Sequence, residues 1–404
     1  MIVSARGRLR LSRVAGALAA AVLAVGGVGL ATAGGAAATT KTAATTKTAA
    51  ASTGVPWSKV GSGWELAEYT AGAPAGDGAD TTGKAAKIAP VTLYLISPAG
   101  VRYPMRTWTA RTTAPTLIAW SGDKTRALLG LGGSRYEQLT LATGKLTAGR
   151  LAGGAQPVGY TTPDGLNILG VTEATTETAP SAVARYGLAG QLLKTLSRGA
   201  GESTAVYAAN GTELAVSGLK GLELVSNVGG VIRALPVPNT AGPLGCAPAR
   251  WWNATTILAQ CYAKGAYTPR LWLVPVSGGR PTALTPQRSD AGPDLGDIGA
   301  WELPSGTYLQ ALGACATLQI FRQAGNGSIT PVVPAHTIGQ DNRIVTALDG
   351  RLLIDAQTAC PGSQSLLWYN PATKAEQWLL RTPAGDAGVV GVAAYNSTQN
   401  ALPL

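Results

Sequence analysis

A pair of turn signals recurs along this 404-residue chain at intervals of about 45 residues. One series runs through Asp123, Asp164-Gly165, Asn210-Gly211, Asn253, Ser305-Gly306 and Asp349-Gly350. The other runs through Gly100, Gly144, Gly190, Gly230, Gly279 and Gly327, with Asn370-Pro371 where a seventh is due. Asp-Gly and Asn-Gly suit tight hairpins because they tolerate positive φ at low cost. Between the turns lie short apolar or alternating runs, such as Leu93-Tyr94-Leu95-Ile96 and Leu271-Trp272-Leu273-Val274. Four short strands per repeat at this period make the blade of a β-propeller, an all-β fold.

The repeats do not begin at the N-terminus. Arg6, Arg8, Arg10 and Arg13 precede the apolar run Val14–Leu30, and Ala31-Thr32-Ala33 supplies small residues for cleavage. This is the order of a signal peptide over residues 1–33, and it predicts a secreted or cell-surface protein. The rival reading is an uncleaved membrane anchor, although glycines dilute a run that is short for a span. Residues 34–54, rich in Thr and Ala with two Lys, have no large side chain to bury and are expected to form a disordered tether. Residues 55–404 then form one domain, which leaves about 50 residues for each of seven blades.

Charge narrows the partners. The formal +11 falls to +5 once the six basic residues of the first 54 are removed, and no basic run remains. A nucleic-acid partner is therefore not expected, since such proteins concentrate Lys and Arg on one face. In an exported protein four cysteines predict two disulfides. Cys246 and Cys261 flank one turn, while Cys315 and Cys360 stand one period apart. Their spacing is wrong for a metal site, so neither a metal nor a cofactor is expected.

Within each blade the Asp/Asn series joins the first strand to the second, and the glycine series joins the third to the fourth. The opening blade has no first strand of its own, whereas a surplus strand, Val389–Tyr395, follows the last blade. That strand is expected to complete the first blade and close a seven-bladed ring, because an open ring would expose edges. First strands also tend to end on an aromatic residue: Trp120, Tyr160, Tyr207, Trp252, Trp301 and Tyr395, with Thr346 the exception.

The repeated turn-plus-strand, as in Pro163-Asp164-Gly165-Leu166-Asn167-Ile168-Leu169-Gly170, resembles the TolB-like and WD-repeat-like propellers of bacterial envelope proteins. The likeness spans nearly all of residues 64–396, without the Trp-Asp pair of true WD repeats. It implies a non-catalytic scaffold that binds other molecules.

Little catalytic chemistry stands out. The one histidine, His336, lies in Pro334-Ala335-His336-Thr337, which is no nucleophile elbow. Propeller glycosidases need paired carboxylates around the channel, yet the expected innermost strands offer only Asp297, beside Arg250 and Arg343 on other blades. Asp290, Asp294 and Asp297 form an acidic segment without calcium-loop spacing. Trp251 is the spare ring of Trp251-Trp252, a stacking surface for a sugar or aromatic partner, with Tyr262 or Tyr267 nearby. The Asn-x-Ser/Thr triplets at Asn210, Asn253, Asn326 and Asn396 fall on turns, and turn chemistry accounts for them. The expected protein is an exported monomeric scaffold, not an enzyme, that binds a protein or envelope polymer through Asp297, Arg250, Arg343, Trp251 and His336. The alternatives are a carbohydrate-binding propeller and a hydrolase or lyase with a loop-built site.

Overall fold

Strand after strand, the chain folds back on its neighbour. The computed structural model describes residues 54–72, 89–109, 115–172, 180–200, 204–218, 221–239, 241–264, 266, 268–286, 296–313, 317–338, 341–359, 363–383 and 386–395. The leader, most of the tether, Tyr267, Asp290, Asp294, Cys315, Cys360 and Asn396 lie outside the described residues. Among the described residues are 28 strands, two short 3-10 turns and no α-helix. No helix there is long and apolar enough to cross a membrane.

Twenty strands form five four-stranded antiparallel sheets, and the other eight form one larger sheet. The five successive sheets start with Thr116–Trp120, Gln156–Tyr160, Ala205–Tyr207, Ala241–Asn253 and Gly296–Leu303. We number them groups two to six. The eight-stranded sheet has two halves joined by one parallel bridge, Gln364 to Gly388. One half, group seven, runs from Arg343–Leu348 to Ala375–Leu380. The other, group one, consists of Gly388–Ala394, Glu65–Thr70, Val91–Ile96 and Arg102–Trp108. Its first strand is thus the last of the described strands in chain order, paired antiparallel with Glu65–Thr70.

The hairpins follow from the turn residues. Asn210, Asn253 and Asn326 each accept hydrogen bonds from the backbone or hydroxyl of the residue two positions on. Asp123 does the same for Thr125. These contacts occupy the triplet asparagines with turn chemistry. The first strands of six groups also carry one extra residue: Ile118, Val158, Ala249, Ile298, Val345 and Val390. Such a bulge sharpens twist and leaves a backbone group out of the ladder.

The core lies between groups. Leu66, Leu95 and Trp108 of group one pack with Leu117, Trp120 and Leu129 of group two. Equivalent clusters join each following pair of groups. Leu353, Leu366 and Trp368 of group seven likewise pack with Ala67, Ile96 and Val389 of group one. Burying each such aliphatic side chain contributes about 2 kcal/mol, so the seams between groups hold the fold together. The pre-turn aromatics serve these seams. Trp120 meets Tyr395 edge to face at 5.3 Å, and Arg126 lies 5.8 Å over the Tyr160 ring.

Cys246 and Cys261 face each other across the first two strands of group five and form a disulfide, as expected.

Candidate functional site

Charged side chains gather in the seam between groups five and six and on the first two strands of group seven. Asp297 precedes the bulge at Ile298 in group six and is fully buried. Arg270, on the third strand of group five, donates from Nη1 to Asp297 Oδ2 at 3.3 Å, and both side chains are almost inaccessible. The Arg250 guanidinium stacks 5.4 Å over Trp301 and donates to the Ala300 carbonyl at 3.2 Å. Burial lowers its pKa to about 10, which keeps it charged at neutral pH. Arg250 and Asp297 therefore both act in the seam between groups five and six.

Group seven is more open. Arg343 donates to Asp355 Oδ2 at 3.1 Å, yet its own side chain is 46% exposed. Burial raises the Asp355 pKa to about 6, with Arg343 opposing the shift and Asp341 adding to it. Asp341 sits at positive φ and accepts a hydrogen bond from Gln364 Nε2 at 3.1 Å. Its pKa is also raised, mainly by burial. One accessible cation thus serves two carboxylates, an arrangement able to receive a polar or charged group from outside.

The expectation for Trp251 needs correction. Trp251 is not a spare surface ring: it is buried, and its Nε1 donates to the Val206 carbonyl at 3.2 Å. Strand alternation turns Trp252 the other way, where it is half-buried. This removes the stacking surface that motivated a carbohydrate reading. His336 is exposed, and its Nδ1 lies 2.7 Å from Glu376 Oε2 on the fourth strand of group seven. Its ring also meets Trp378 of that strand edge to face.

Sequence reasoning missed three acids. Glu65 and Glu68, on the second strand of group one, are each 1% exposed. Asp355 occupies the matching strand of group seven. The signal was present, since Glu68 interrupts a short strand with partners on both sides, and Asp355 ends the run Leu352-Leu353-Ile354.

No family model matches the chain, and no curated protein matches it. Solved structures resemble it in fold. The β-propeller domain of the Trilobed protease from Pyrococcus furiosus is 12% identical, with a TM-score of 0.47, over 73% of this chain and 91% of that one. A putative TolB from Agrobacterium tumefaciens is 13% identical, with a TM-score of 0.40, over 66% and 87%. A prolyl endopeptidase structure is 13% identical, with a TM-score of 0.49, over 71% of this chain. The match spans only 46% of that endopeptidase. Similarity at this level concerns the fold alone.

The expectation that the chain is not an enzyme is overturned. Similar structures include putative 6-phosphogluconolactonases and an oligogalacturonate lyase beside the endopeptidase. A count of first-strand acids also leaves out Glu65, Glu68 and Asp355, which stand on second strands with their carboxyls withdrawn from solvent.

Proposed function

We propose that this chain is an exported, seven-bladed propeller, closed into a ring, that binds a protein or cell-envelope component. Seven four-strand groups support the blade count. The pairing of Gly388–Ala394 with Glu65–Thr70 and the apolar cluster between groups seven and one support closure. The leader and the Cys246–Cys261 disulfide fit an oxidising compartment outside the cytoplasm.

The observation that carries the binding reading is the half-open Arg343–Asp355 pair with Asp341 beside it. Arg343 donates to its partner and still reaches solvent, so it can contact an acidic group of a bound molecule. The test is crosslinking of the tagged full-length protein in native envelope extract. Recovery of a discrete partner, reduced at least tenfold by Arg343→Gln at unchanged thermal midpoint, supports the reading. Equal recovery with Arg343→Gln removes this site from it.

A further inference from the structure

The strand Glu65–Thr70 carries two buried carboxyls, and neither is paired with a cation among the described residues. Glu65 Oε2 and Glu68 Oε1 are both shut off from solvent without a hydrogen-bond partner there. The two residues are three apart with no bulge between them, so their side chains leave opposite faces of the strand. Glu68 enters the seam with group two, where the Leu117 N–H meets it. Glu65 shares the face of Ala67, which packs in the seam with group seven. One enclosed acid thus stands in each seam that group one makes.

The strand Gly388–Ala394 lies against both. Glu65 is the register partner of Ala394, and Glu68 is the partner of Gly391. A Cβ at Gly391 would stand 3.0 Å from Glu68 Oε2, so the backbone there passes close to the carboxyl. Apart from this ladder, the strand's pairing within its sheet is the single bridge to Gln364.

The surrounding elements offer the two acids no compensating charge. Val91–Ile96, Gly388–Ala394 and Thr116–Trp120 contain no charged residue. Lys124, beyond the last of these, lies over the Tyr395 ring. In group seven, Arg343 pairs with Asp355 beside Asp341, and Arg351 stacks over Trp368. Tyr69 and Tyr94 meet each other edge to face. Burial alone holds the Glu65 carboxyl well above the usual range, and it raises that of Glu68 to about 8 against the Leu117 N–H.

We propose that Glu65 and Glu68 form a proton-dependent latch, whose neutral carboxyls keep Gly388–Ala394 docked and whose ionisation releases it. Release hydrates both carboxyls, while Glu65–Thr70 keeps its ladder to Val91–Ile96. The docked strand holds both protons beyond the pH at which free carboxyls lose them. Docking is therefore strongest below about pH 4.5 and weakens as pH rises towards 8. Each proton given up makes release about tenfold easier per pH unit, so the pair reaches about a hundredfold. This inference rests on the pairing of the two strands and not on the Arg343 site.

The test is hydrogen–deuterium exchange of the full-length protein at pH 5 and pH 8, corrected for the intrinsic pH dependence of exchange. Peptides covering Gly388–Ala394 should lose at least tenfold more protection than those covering Gln156–Tyr160 in group three. The Glu65→Gln/Glu68→Gln variant should show no such difference, and Glu68→Gln alone should keep about half of it on a logarithmic scale. Cysteines at the register partners Ala67 and Val392 should abolish the loss when oxidised and restore it when reduced. Equal loss in every group, unchanged protection of Gly388–Ala394, or a loss that persists in the double glutamine variant overturns the proposal. The readout requires no bound partner, so the latch and the Arg343 site fail or stand separately.

Discussion

Two seams in this molecule share one geometry and differ by one atom type. Between groups six and seven, Gln310 sits opposite Gly299, the residue after the bulge. Its Oε1 accepts from the Ile344 N–H at 2.6 Å, and its Nε2 donates to the Asn342 and Gln319 carbonyls at 3.0 and 2.9 Å. Between groups one and two, Glu68 sits opposite Gly391, again the residue after a bulge. Its Oε2 accepts from the Leu117 N–H at 2.7 Å, but its Oε1 has no hydrogen-bond partner among the described residues. Leu117 and Ile344 are equivalent, each just ahead of its bulge.

The difference lies in the donor. A glutamine amide both accepts and donates, whereas a carboxylate only accepts. Burial raises the Glu68 pKa to about 8, partly offset by the Leu117 N–H. Neutral Glu68 carries an O–H and can imitate the amide. The repeat fixes the shape of the seam, and the residue decides whether the seam responds to pH.

The largest expected effect is from Gln310→Ala. It strands the Ile344 N–H and the Asn342 carbonyl in a buried seam, costing roughly 3–4 kcal/mol, read as a lower urea midpoint. Gln310→Glu should transplant the pH response: near wild-type at pH 5, and roughly 3 kcal/mol less stable above pH 8. Equal stability at both pH values would break the comparison.

Glu68→Gln tests it in reverse. Below about pH 4.5 Glu68 is protonated folded and unfolded. As pH rises towards 8 the unfolded chain releases the proton first, so the wild type loses stability across that window. At pH 7 the glutamine variant should be more stable by roughly 2–3 kcal/mol, with no gain at pH 4. A constant difference at all pH values would mean that Glu68 does not titrate as argued. Asp355 adds a shallower fall between about pH 4 and 6, which Glu68→Gln leaves in place. The smallest effect is His336→Ala, within about 0.5 kcal/mol, because its pairing with Glu376 is largely exposed on the histidine side.

Much of the fold was legible because hairpin turns need particular residues locally. Asp123, Asn210 and Asn253 hold their turns with contacts only two residues long. The Cys246–Cys261 pairing was legible for the same reason, as both residues flank one turn. The site was less legible. Trp251 and Trp252 are adjacent letters, and which seam each of them enters, towards group four or group six, depends on strand phase near a bulge at Ala249. Arg343 appeared beside Asp297 as a fellow strand-end charge, while its actual partner, Asp355, lies on the neighbouring strand.

The sequence by itself determined the turns, the period, the all-β class and one disulfide, because each depends on residues close along the chain. Only the tertiary structure decided which charges are buried and which seam each ring enters, and it set the register in which residues near the two ends of the chain share a sheet. Those outcomes depend on contacts between distant segments, where desolvation and register act across separations up to the 329 residues (394 − 65) between the paired Glu65 and Ala394.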